Sequence, residues 1–286
     1  MDAVTLLVHL GGVADSGTLL ANMSRRRLRT ALTRGEVVRI GRSRYALPVV
    51  EDGLRAAHEL DAFVTHLSAA AHWGWETRLP PERPQLAVLR GHQLPERTDV
   101  DLRRLDLRAA DVDGWATSRL QTVLMCAADL PLPDALAVAD SALRHRDVSQ
   151  PRLEQAAATL PGPRGRRART VVAHADRRAA NPFESTLRAH AIEAGLPVIA
   201  QYRVQVDDLA LHPDLANPLL GIALEAESWE HHGKHLADFE RDCERYTLLV
   251  TCGWLVLRFT WRQVMYEPAW VITRIRDAMA GAAGCA

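Results

Sequence analysis

Two short apolar runs that each end in an acid constrain this chain most. Leu209 to Asp214 alternates and stops at Asp214, while Gly221-Ile222-Ala223-Leu224 is continuous and stops at Glu225, eleven residues on. Runs this short, bounded by Pro, Asn and Gly, read as strands and not helices. If a short turn joins them as neighbours, Asp214 and Glu225 stand side by side. Strand alternation then puts Glu227 on the same face as Glu225. Three carboxylates at one sheet edge repel one another unless a hard divalent cation neutralises them, and oxygen donors at that density suit Mg²⁺ or Mn²⁺. Such an ion activates water and stabilises charge on a phosphodiester. The plainer alternative is a solvated strand end.

The residues around these runs read as helix, strand pair, strand, helix, strand, helix. Asn181-Pro182-Phe183-Glu184 opens a helix with an Asn cap and Pro in the first turn, and Gly195 stops it. Glu184 is either a first-turn acid favoured by the helix dipole or a member of the acidic group. Asp207-Asp208 is expected at the tip of a hairpin between Val198–Val206 and Leu209–Asp214. A helix is expected from Leu236 to Leu249, a buried strand from Trp254 to Phe259, and a last helix from about Trp270 to Met279. Trp254, Phe259 and Trp261 are expected in the core.

At the other end, Ser24-Arg25-Arg26-Arg27-Leu28-Arg29-Thr30-Ala31-Leu32 reads as a capped basic helix with Leu28, Ala31 and Leu32 inward. The alternating run after it, Val37 to Leu47, suits a two-stranded wing. From Ser24 to Ala46 there are eight arginines against one acid, Glu36, a local charge suited to phosphate contact. The candidate DNA contacts are Arg25, Arg26, Arg27, Arg29, Arg42 and Arg44, with a protein-contact or solvated helix as the alternative. Between the two ends lie Ala-rich helices, a strand at Gln85 to Arg90 and the packing residues Trp73-Gly74-Trp75. Pro161 to Arg169 reads as a basic linker or a helix start.

The formal net charge is zero, so no global field draws in nucleic acid and any such contact must be local. Of 35 Lys+Arg, only Lys234 is a lysine. Cys126, Cys243, Cys252 and Cys285 are scattered without a CxxC pair and read as reduced thiols. The most apolar late stretch, Thr247 to Leu257, is too short to span a bilayer. The first residues lack a charged region before an apolar one. A cytoplasmic protein with no membrane association is expected.

The stretch His212-Pro213-Asp214-Leu215-Ala216-Asn217, followed by Ile222-Ala223-Leu224-Glu225-Ala226-Glu227-Ser228-Trp229-Glu230-His231-His232-Gly233, resembles the PD-(D/E)XK nuclease superfamily. It is closest to the branch similar to very-short-patch repair endonucleases. Glu184-Ser185-x-Leu187-Arg188, Arg241-Asp242-x-x-Arg245-Tyr246 and Gly253-Trp254-x-Val256-Leu257-Arg258-Phe259-Thr260-Trp261 add to the likeness, in the expected order. The resemblance implies that Asp214 and Glu225 bind the metal, that Glu184 reaches in from the opening helix, and that His232 and Arg241 lie near the scissile phosphate. It departs from the superfamily at Glu227, which stands where a basic residue is usual, with Lys234 outside that slot. Asp15 to Ala21, then Ser24 to Arg34 and the wing, resemble the winged helix-turn-helix of AbiEi-type antitoxins of type IV toxin–antitoxin systems.

The expected fold is α/β in content and α+β in overall class. It comprises a winged helix-turn-helix over 1–48, a mixed α/β spacer or interface segment over 49–165, and a restriction-endonuclease-like core over 166–286, a mixed sheet flanked by helices. Two functions follow. One is a Mg²⁺- or Mn²⁺-dependent DNA endonuclease with Asp214, Glu225, Glu227, Glu184, His232 and Arg241 at its site. The other is a DNA-binding regulator of the antitoxin kind, with an inactive nuclease fold and a cognate toxin or other protein as partner.

Overall fold

The computed structural model describes residues 2–10, 12–41, 43–91, 99–206, 209–227 and 236–284, and it divides into two compact units, Met1–Arg177 and Arg178–Ala286. Among the described residues, no helix is long and apolar enough to cross a membrane.

The N-terminal unit opens with α1 (Ala3–His9), β1 (Val13–Asp15), α2 (Ser16–Asn22), α3 (Arg25–Thr33), β2 (Val38–Gly41) and β3 (Arg44–Ala46). The three strands pair antiparallel in the order β1-β3-β2. This is a winged helix-turn-helix, and its helix starts are set locally. Asp2, Asp15 and Ser24 each accept a backbone N–H of the turn that follows, from Thr5, Thr18 and Arg27, which satisfies donors a helix start otherwise leaves unpaired. Leu28 and Ala31 of α3 join Leu6, Leu7, Leu19 and Val37 in the core. That burial leaves Arg25, Arg26, Arg27 and Arg29 on the exposed face.

The rest of this unit is a mixed sheet followed by four helices. After α4 (Val49–Glu59) come β4 (Phe63–Val64), α5 (His66–His72), β5 (Gln85–Leu89), β6 (Asp101–Leu105), β7 (Val112–Asp113) and β8 (Ala116–Thr117). They stand in the order β6-β5-β4-β8-β7, with β5–β6 and β4–β8 parallel. Only β5 is signalled by periodicity, because two-residue strands carry no pattern. Then follow α6 (Arg119–Asp129), α7 (Leu132–Arg144), α8 (Gln150–Thr159) and α9 (Gly162–His174). The arginine-rich stretch after Pro161 is therefore a helix, and it packs on α6, α7 and α8. Gly165 makes the α8–α9 turn possible, since a Cβ there would lie 1.9 Å from the Leu160 carbonyl oxygen.

A half-buried polar chain ties the wing to this helical layer. The Arg44 guanidinium donates to the Trp73 carbonyl at 3.3 Å and to His145 Nδ1 at 3.1 Å, and His145 Nε2 faces Glu76 at 3.2 Å. Arg44 is thus engaged inside the unit and not displayed with the α3 arginines. Burial alone would raise the Glu76 carboxyl, but His145, Arg144 and the Ser141 hydroxyl outweigh it and hold Glu76 down to about 2. Because the folded form binds the proton less tightly, this stabilisation is complete above the unfolded value near 4.5 and is lost as pH falls toward 2. Glu76→Gln is expected to cost the N-terminal unit about 2 kcal/mol at pH 7 and less than about half of that at pH 3. Urea unfolding at the two pH values checks this, and an equal cost at both would refute it.

The C-terminal unit runs α10 (Pro182–Ala194), β9 (Ile199–Ala200), β10 (Val204–Val206), β11 (Leu209–Leu211), β12 (Leu215–Asn217), β13 (Ile222–Glu227), α11 (Leu236–Thr251), β14 (Leu255–Thr260), α12 (Trp261–Tyr266) and α13 (Pro268–Gly284). Its main sheet is β14-β13-β12-β9, with β13–β14 parallel and the other pairs antiparallel. The β10–β11 hairpin stands apart, and its tip, Asp207-Asp208, lies outside the described residues. Asn181 caps α10 and Gly195 ends it at φ 89°, where only a residue without Cβ sits at no cost. Phe183, Leu187, Leu215, Ile222, Leu224, Phe259, Val264, Val271 and Ile275 form one core. Of the expected core residues, Phe259 is buried while Trp254 and Trp261 are half-buried. β14 is an edge strand with Leu255 44% exposed, so it is not the buried strand its apolar run suggests. Among the described residues, its hydrogen-bonding partner strand lies on one side only.

Candidate functional site

The acids meet where β12 and β13 run antiparallel. Leu215 pairs with Leu224, so Asp214, one residue before, and Glu225, one residue after, are brought alongside each other. The chain at Asp214 is held from both sides. Its carbonyl accepts Gln201 N–H at 2.9 Å and its Oδ2 accepts Ala226 N–H at 2.8 Å. Glu225 is 1% exposed and receives both terminal nitrogens of Arg245 on α11, each at 3.0 Å. Glu227, two residues along the same face, accepts the Tyr246 hydroxyl and Arg258 Nε at 2.8 Å. Arg245 and Arg258 both lie over the Tyr246 ring, at 4.8 and 4.1 Å from its centroid.

Glu184 enters from the first turn of α10. Its carboxylate accepts Ala180 N–H at 2.9 Å and Asn181 Nδ2 at 3.1 Å, so it does serve the helix start. It also faces the acids, because Gln201 Nε2 lies 3.4 Å from Glu184 Oε2 and 3.5 Å from Asp214 Oδ1. Gln201 adopts φ 52°, a left-handed conformation that costs a non-glycine residue about 1–3 kcal/mol and recurs at functional sites. Arg241 is exposed on α11, one turn before Arg245 and on the same face. His232 lies outside the described residues, as do Lys234 and Arg42.

The electrostatics show too little positive charge for the acids present. Burial, and next the Asp214 carboxylate, push Glu225 up to about 8, even with Arg245 opposing. Asp214 is raised as well, chiefly by burial, against the pull of Ala226 N–H, Arg245 and Gln201. Two desolvated carboxylates sharing one guanidinium leave net negative charge, which favours a further cation. Among the described residues, no group of three or more His, Cys, Asp or Glu side chains is arranged as a metal site. The donor chemistry of Asp214 and Glu225, all oxygen, fits a hard divalent ion. Glu227, held by Tyr246 and Arg258, has its charge answered by protein. Gln201, Arg245, Tyr246 and Arg258 complete this site and were not read as its members from the sequence. Arg245, Tyr246 and Arg258 lie in the family-like stretches, but their pairing to the acids is a through-space property.

Fold and site together define a two-unit α+β protein with a winged helix-turn-helix at its start and a buried acid–arginine cluster in its second unit. The chain belongs to the same family as the uncharacterized proteins Rv2248 and MT2308 of Mycobacterium tuberculosis (strains ATCC 25618 / H37Rv and CDC 1551 / Oshkosh). It is 30% identical to each over 283 residues, covering 91% of this chain and all of each relative. No family model matches it. The crystal structure of the RV2827C protein from Mycobacterium tuberculosis is similar over 70% of this chain and 86% of that one, with 18% identity and a TM-score of 0.33.

Proposed function

We propose that this protein is a cytoplasmic, metal-dependent DNA endonuclease, with a site of the PD-(D/E)XK kind in the C-terminal unit and DNA contact through the winged helix. The observation that carries the reading is the pair of carboxylates, Asp214 and Glu225, adjacent in register, desolvated and short of positive charge. Asp214 and Glu225 would hold Mg²⁺ or Mn²⁺, which supplies an activated water and neutralises charge on the phosphodiester. Glu184, through Gln201, orients Asp214. Glu227 fixes Tyr246 and Arg258 at the end of β13 and so takes a positioning role. Arg245 or Arg241, with His232, meets the phosphate charge that the superfamily's missing basic residue would otherwise meet. Arg25, Arg26, Arg27 and Arg29 on α3 hold duplex phosphates, and Arg42, outside the described residues, is proposed to join them.

One observation favours a second reading. Arg245 engages both oxygens of Glu225, which is a compensation suited to a site that works without metal. The alternative is a DNA-binding regulator of the AbiEi-like antitoxin kind, acting with a partner protein. Supercoiled plasmid incubated with Mg²⁺ or Mn²⁺ separates the two. Divalent-dependent nicking by the wild type, reduced at least a hundredfold in Asp214→Ala and Glu225→Ala, supports the enzyme. Absence of nicking with a duplex gel shift that disappears when Arg25, Arg26, Arg27 and Arg29 are neutralised supports the regulator.

A further inference from the structure

We infer that the end of the α8–α9 hairpin in the N-terminal unit is a second contact for the phosphate backbone of duplex DNA, built on Arg146, Arg152 and Arg177. The inference rests on the DNA-binding reading above but assigns residues that the winged helix does not contain.

These three arginines line one cavity of about 620 Å³, together with Ser149, Asp147 and Asp176. All three are exposed, and none has a side-chain hydrogen bond or ion pair with another described residue. The acids in the lining are already engaged. Asp147 accepts Trp75 Nε1 at 2.7 Å and faces Arg119 at 3.4 Å, and Asp176 also has a partner. The cavity therefore keeps uncompensated positive charge. Within the same helical layer and the sheet before it, Arg78, Arg103, Arg119, Arg144 and Arg164 each face a carboxylate.

The charge extends along α9. From residue 162 to 178 there are six arginines against one acid. Arg166 and Arg167 are exposed and, like the three above, have no side-chain partner among the described residues. The first turn of α8, beside the cavity, carries no acid. In a chain of zero net charge, unpaired guanidinium groups gathered in a concavity form a local field for an anion. A duplex phosphate ridge presents such anions in a regular row, and arginine recognises them through charge-assisted, bidentate hydrogen bonds.

The test uses the full chain and fluorescence anisotropy with a labelled mixed-sequence duplex, titrated between about 50 and about 200 mM salt. Each lost phosphate contact lowers the slope of log K against log salt by about 0.9. The triple variant R146A/R152A/R177A is expected to lower it by about 2 to 3, with unchanged melting because the side chains are exposed and unpaired. The variant R25A/R26A on α3 serves as the reference for the winged helix. If R25A/R26A lowers the slope and the triple variant does not, the α8–α9 contact is overturned while the DNA-binding reading stands. If the wild-type chain binds no duplex at all, both are overturned.

Discussion

Asp214→Asn is expected to stabilise the C-terminal unit while removing its divalent-dependent cleavage. The asparagine oxygen still accepts the Ala226 N–H that Asp214 accepts at 2.8 Å, so the β12–β13 junction keeps its bond. What disappears is a half-buried like charge beside Glu225, the second largest reason, after burial, that Glu225 is raised to about 8. A raised acid is more stable protonated in the fold. Its stability is fully present below the unfolded value near 4.5 and is lost as pH rises through about 8. The wild type should therefore weaken across that window and Asp214→Asn should weaken less. The gap at pH 8–9 is expected at about 1–3 kcal/mol, or roughly 4–12 °C in melting temperature. Nicking should fall about a thousandfold, equivalent to roughly 4 kcal/mol of transition-state stabilisation. Calorimetric melts at pH 5 and pH 9, beside a plasmid assay, decide it. A variant no more stable than wild type at pH 9 would count against the charge argument, and undiminished cleavage would count against the enzyme.

Arg245→Ala is expected to act in the opposite direction. Arg245 gives two hydrogen bonds to Glu225 and one to the Tyr246 hydroxyl, which in turn serves Glu227. Its removal strands two carboxylates in and beside the sheet, and breaking one side of a buried ion pair costs about 3–5 kcal/mol. The unfolding midpoint of the C-terminal unit in urea should drop accordingly at pH 8. Millimolar Mg²⁺ or Mn²⁺ should restore part of the loss in Arg245→Ala, because a ligand that binds only the folded form stabilises it by mass action. Restoration absent in Arg245→Ala with Asp214→Ala would tie the rescue to the acid pair. If neither ion restores stability in the single variant, the acids do not serve as a cation site. Replacing both partners, Glu225→Leu with Arg245→Met, should recover much of the loss, since no buried charge then lacks a partner.

Local signals carried the helix starts. Asp15, Ser24 and Asn181 cap α2, α3 and α10 through a backbone N–H three residues on, an interaction that needs only the next turn of chain. Gly195 ends α10 for an equally local reason. The four strands β4, β6, β7 and β8 were not legible. Three of them are two residues long, and β6, with the sequence Asp-Leu-Arg-Arg-Leu, has too little alternation to read as a strand. The short helix α12 directly follows β14 and falls between the expected strand, which ends at Phe259, and the expected last helix, where six residues carry too short a pattern to read. The α8–α9 turn shows the same limit, because the basic composition of Pro161 to Arg169 suits a linker as well as a helix, and the packing of Gly165 against Leu160 selects the helix.

For the acidic cluster, the sequence by itself singles out Asp214 and Glu225 but misplaces the first: the Leu209 strand stops at Leu211, and Asp214 instead leads into β12, whose antiparallel register with β13 sets it beside Glu225. Tertiary structure decided which charges answer them. Arg245 reaches Glu225 across 20 residues and Arg258 reaches Glu227 across 31. The parallel register of β13 and β14 and the packing of α11 bring them there. Gln201 joins Glu184 to Asp214 only once α10 and the turn after β9 are in place. The reason is physical: charge compensation depends on distance through space and on desolvation, and spacing along the chain specifies neither beyond a turn or a hairpin.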